Sequence, residues 1–96
     1  MLRPKNDQWR VLSGIGDPEN FPVQSWVHEA SGISAIVQTE GDVTRLQLSA
    51  SRMRRLTDEQ CQRALSDFGV PGAVEIEPEF PGVARIFEAV GVDHEP

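Results

Sequence analysis

The chain has 96 residues, 39% of them hydrophobic, and its 15 acidic side chains against nine Lys and Arg give a formal net charge of −6. One domain of this size buries only about 60–65% of its unfolded surface, so the core is thin and a deep, enclosed active site is hard to build. The single cysteine, Cys61, excludes an intrachain disulfide, and no run reaches the about 18–20 apolar residues of a membrane span.

The lead Met1-Leu2-Arg3-Pro4-Lys5 lacks the apolar run of a signal peptide, so the expected residence is the cytoplasm. Residues 1–96 read as one domain with flexible ends at about 1–7 and 91–96. Gln8 to Ser13 is a candidate short strand, followed by a loop whose Gly14, Gly16 and Pro18 break any regular period. Three more strands are expected at Gln24–Glu29, Ile33–Thr39 and Val43–Ser49. The short links Ala30-Ser31-Gly32 and Glu40-Gly41-Asp42 make them an antiparallel meander. Trp26 and His28 alternate against Val27, and Thr44, Leu46 and Leu48 alternate against Val43, Arg45 and Gln47.

The period then changes. Thr57-Asp58-Glu59-Gln60 is a capping box, in which the Thr57 hydroxyl and the Gln60 side chain satisfy each other's backbone N–H groups. Cys61, Ala64, Leu65 and Phe68 follow at i, i+3, i+4 and i+7, one face of a helix over about 58–68. Leu56 and Cys61 are placed to form a hydrophobic staple, Gly69 ends the helix, and Pro71 prevents its resumption. Ala73 to Glu77 returns to period two, with Val74 and Ile76 alternating against Glu75 and Glu77. Val83 to Val90 is compatible with a strand or a short helix; its β-branched residues favour a strand in a hairpin with 73–77. The expected fold class is α+β: a twisted antiparallel sheet in the order β-β-β-β-α-β-β with one helix packed on a face.

Motifs that announce chemistry are missing. His28 and His94 stand far apart with no metal-ligand spacing around them, and no metal or cofactor is expected. Cys61 belongs to the apolar helical stripe, which argues for core packing over reactivity. Ser13-Gly14-Ile15-Gly16 holds a lone GxG without the third glycine or lysine of a phosphate loop. No catalytic residue emerges, and the expectation is a protein that is not an enzyme.

Charge is the feature with most content. Residues 1–56 carry seven bases and six acids, whereas 57–96 carry two bases and nine acids, so the net charge divides as +1 and −7. A negative C-terminal half repels nucleic acid and anionic lipid and favours a basic protein surface. Glu75, Glu77 and Glu79, at period two, form the expected partner-binding row, joined by Asp67. The plain alternative is a solvated strand face whose acids discourage edge pairing. Arg52, Arg54 and Arg55 form a secondary basic patch before the helix, to grip a phosphate or carboxylate group or to pair with the protein's own acids.

From Val43 onward the order is a strand, Ser49-Ala50-Ser51-Arg52, a basic link, Arg55-Leu56-Thr57-Asp58-Glu59 opening a helix that ends at Phe68-Gly69, then an apolar strand and Pro78. This layout, over roughly residues 43–80, resembles that of small phage- and prophage-encoded α+β proteins of uncharacterised families. The resemblance rests on order and spacing and implies an accessory protein acting on a host or phage partner, not a metabolic enzyme. Three functions follow as expectations. The first is a small acidic interaction factor of the inhibitor or accessory kind, binding a basic partner surface through its C-terminal half. The second is an assembly subunit that self-associates through strand edges and Trp9 or Trp26. The third is a small-molecule binder or enzyme with a pocket among His28, Arg45 and Trp26.

Overall fold

The short strand expected at the start is β1 (Trp9–Ser13), and the expected meander comprises β2 (Val23–His28), β3 (Ile33–Glu40) and β4 (Val43–Ala50). It is followed by α1 (Asp58–Asp67), β5 (Val74–Ile76) and β6 (Arg85–Val90). These elements come from a computed structural model, which describes residues 3–13, 23–50, 56–76 and 84–90. All strands pair antiparallel in one six-stranded sheet of order β1-β2-β3-β4-β6-β5. The fold is α+β, and residues 85–90 are a strand, pairing with both β4 and β5. The expected tail over 91–96 lies outside the described residues.

Register decides which side chains share a face, because successive residues of a strand point opposite ways. Trp26, Ala35, Leu48 and Arg85 form one cross-strand row, and Gln24, Val37, Leu46 and Phe87 form the next. Ala35, Val37, Leu46 and Leu48 are all fully buried. They pack with Leu56, Cys61, Ala64, Leu65, Phe68 and Val70 from the helix and its flanks. α1 therefore covers this face and the core lies between the two layers. The opposite face carries Ile36, Arg45, Gln47, Ile86 and Glu88, with Arg45 and Glu88 paired at 2.6 Å.

Local signals hold at both ends of α1. Gln60 N donates to Thr57 Oγ1 at 3.1 Å and Thr57 N donates to Gln60 Oε1 at 2.9 Å, completing the capping box. Leu56 and Cys61, the expected staple pair, are both in the core cluster. At the C-terminus, Val70 N donates to Leu65 O at 2.8 Å and Gly69 N donates to Ser66 O at 2.9 Å. This is a Schellman closure, with Gly69 at φ +77°. Between β3 and β4 the two-residue turn Gly41–Asp42 uses φ +62° at Gly41, a conformation that favours glycine.

Candidate functional site

Of the acidic residues singled out by charge, the two that are described, Glu75 and Asp67, lie apart. β5 pairs with β6 so that Glu75 stands opposite Phe87, which is buried on the helix-covered face. Glu75 therefore faces the helix side, and Val74, which alternates with it, is turned out and 68% exposed. The reason is Arg85, two residues from Phe87 and on the same face. Its Nε and Nη2 donate to Glu75 at 2.8 and 2.6 Å, Nη2 also meets Asp58 Oδ1 at 2.8 Å, and Nη1 donates to Leu56 O at 3.2 Å. The guanidinium carbon lies 5.7 Å from the Phe87 ring centroid. A cation in this position loses hydration, and the bidentate carboxylate compensates it. The hydrogen bond to Glu75 holds the Arg85 pKa still further above its already high ordinary value, against desolvation, with Asp58 adding to the effect. One guanidinium faces two carboxylates, so this corner keeps a net negative charge.

Asp67 lies at the other end of α1, beside β1, while Glu75 belongs to the opposite sheet edge. Its Oδ2 accepts from Trp9 Nε1 at 3.0 Å, and its backbone oxygen accepts from Lys5 N at 2.6 Å. Trp9 also stacks edge-on against Phe68 at 5.0 Å between centroids and lies 5.1 Å from the His28 ring. Lys5, within the expected flexible lead, is thus tied to the end of the helix. Glu77, Glu79, Arg52, Arg54 and Arg55 lie outside the described residues. Arg45 is on the face opposite Trp26 and His28, so those three do not form the pocket expected among them.

A different cleft lies next to His28. It has a volume of about 340 Å³ between α1 and the β2–β3 turn. Trp9, Ile33 and Ala64 form its apolar floor, and Glu59, Arg63 and Asp67 of the helix line one wall. His28 and Ser31 line the other, with His28 Nδ1 2.7 Å from Ser31 Oγ and Nε2 3.0 Å from Gln8 Oε1. A hydroxyl, an imidazole and an orienting acceptor in sequence have the outline of an activated nucleophile. The nearby backbone donors are already used, however: Ser31 N and Gly32 N both donate to His28 O, at 3.2 and 2.8 Å. Ile33 N donates to Ser31 Oγ at 3.3 Å, as in an ordinary serine turn. These amides do not stand as a preorganised oxyanion hole.

Cys61, expected in the core, is 2% exposed, and burial raises its pKa above the ordinary thiol value, an effect the Arg85 charge partly offsets. Among the described residues no three His, Cys, Asp or Glu side chains converge to hold a metal, and no helix is long and apolar enough to cross a membrane.

Sequence reasoning missed Arg85 and the cleft. The signal for Arg85 was its phase, since a strand that buries Phe87 turns Arg85 the same way. For the cleft it was Glu59, Arg63 and Asp67 at i, i+4 and i+8, one stripe along the helix. Trp9 and His28 join that stripe only through tertiary contacts. No protein-family model matches the chain, and neither a curated protein nor a solved structure matches it.

Proposed function

We propose that the chain is a small, non-enzymatic interaction factor that engages a basic surface of a partner protein through its acidic C-terminal half. The inhibitor or accessory role fits the layout resemblance. The observation that carries the reading is the surplus of seven negative charges over residues 57–96. The geometry supports it. Asp58 and Glu59 open α1 at the surface, with the Asp58 side chain 94% exposed, and Arg85 is shared between two carboxylates instead of cancelling each with its own cation. Opposite charge on the partner raises the association rate and makes binding salt-sensitive. With one cysteine and no disulfide to form, the cytoplasm is the compartment we assign.

The test spares Glu75, because Arg85 depends on it. Affinity capture from a cell lysate is compared for the parent chain and the double variant Glu77→Lys/Glu79→Lys. A partner retained at about 0.05 M salt and released by about 0.5 M, where screening is nearly complete, is the expected result, together with loss of capture by the variant. Retention that ignores both salt and charge reversal overturns the reading.

The exposed valines Val23, Val74 and Val90 favour a second reading, an assembly subunit that self-associates. Sedimentation at two concentrations separates the two, since a monomer at both rules the second out.

A further inference from the structure

The cleft between α1 and the β2–β3 turn sets an apolar floor beside a charged helical wall. Its floor is apolar, from Trp9, Ile33 and Ala64. Along the helical wall the charges run Glu59, Arg63, Asp67, at positions i, i+4 and i+8. No ion pair among the described residues holds Glu59 or Arg63, and Asp67 uses one carboxylate oxygen on Trp9 Nε1. A carboxylate has room for several donors, so Asp67 keeps acceptor capacity.

The two carboxylates are eight residues apart on one helix, a rise of about 12 Å. An extended peptide covers about 13 Å between residues i and i+4, and residues i, i+2 and i+4 point the same way. We propose that the cleft binds an extended segment of a partner protein with the pattern basic-x-aromatic-x-basic. The two basic side chains meet Glu59 and Asp67. The aromatic side chain between them enters the cleft over Ala64 and Ile33, where Arg63 disfavours a third cation and offers its guanidinium to the ring face. This rests on the reading that the partner is basic and adds where, and with which pattern, it is gripped. Such a cleft supplies the buried anchor that a purely electrostatic contact lacks.

The test titrates the ¹⁵N-labelled full chain with the peptide acetyl-Lys-Ser-Phe-Ser-Lys-amide. Two controls replace Phe by Ala, or both Lys by Glu. The expected result is shifts of the Trp9 indole and of the Ile33 and Ala64 amides. Affinity falls about tenfold without the aromatic anchor and up to about fivefold in the surface variant Glu59→Lys. Absent shifts at these three sites, or equal binding of the acidic control, overturn the proposal. If the basic peptide instead shifts only residues around Asp58 and Glu75, the cleft assignment falls while the acidic-partner reading stands. If it binds the cleft as described but lysate capture ignores salt, the reverse holds.

Discussion

The two tryptophans show how differently one side-chain type can be used. Trp9 is 6% exposed, gives its indole N–H to Asp67 and touches both Phe68 and His28. Trp26 packs against Phe68 at 6.3 Å, but its buried Nε1 has no hydrogen-bond partner among the described residues. Replacing a bonded donor strands its acceptor, whereas removing an orphaned donor relieves a desolvation penalty of about 1–3 kcal/mol. Trp9→Phe is therefore expected to lower stability by at least about 1 kcal/mol, and Trp26→Phe by distinctly less. Thermal unfolding of both variants checks this, and equal losses would contradict it. Glu75 makes a related point about function. A carboxylate that a sequence offers to a partner is held here by Arg85, so its substitution reports on folding as well as on binding.

The helix is set by its ends. Thr57→Ala removes the capping hydroxyl and is expected to cost about 1 kcal/mol. Gly69 and Gly41 both have positive φ, at +77° and +62°, but different neighbours. A Cβ at Gly41 meets nothing within 4 Å, while one at Gly69 would run into the Lys5 stem. Alanine at either position bears the left-handed backbone cost of about 1–2 kcal/mol; at Gly69 the flexible end of the Lys5 side chain must also shift. Gly69→Ala should be only slightly the more destabilising in urea unfolding, and the small excess should vanish when Lys5→Ala is combined with it. Persistence of the excess would show that Lys5 does not restrain the helix end.

Across the molecule, the titration behaviour is unusually simple at alkaline pH. The chain has no tyrosine and one lysine, Lys5, so between neutrality and pH 10 few groups other than Cys61 change charge. The Cys61 pKa is raised in the folded state from its ordinary value of 9.0, chiefly by burial. The unfolded thiol thus ionises first. The stabilisation is complete below pH 9.0 and is lost as pH climbs through the higher folded-state pKa. Urea midpoints should decline above pH 9.0, and Cys61→Ala should flatten that decline. A thiol reagent added at neutral pH should react only on unfolding. An unchanged alkaline slope in Cys61→Ala would remove this account.

The capping box, the glycine that ends α1, the meander with its short turns and the alternation within β2–β4 were all legible in the chain. They depend on hydrogen bonds, backbone angles and periodicity within a few neighbouring residues. The burial of Cys61 followed from its place in the apolar stripe. Which way β5 faces was not legible, because Val74-Glu75-Ile76 alternates equally well in either orientation. Pairing to β6 decided it, since that register brings Glu75 to a half-buried Arg85 that needs a carboxylate. Nor was the cleft, whose floor joins Trp9, Ile33 and Ala64 from separate parts of the chain. Local interactions specify the pieces; desolvation of Arg85 and packing around Trp9 act across distant segments, and only the assembled sheet and helix bring those groups together.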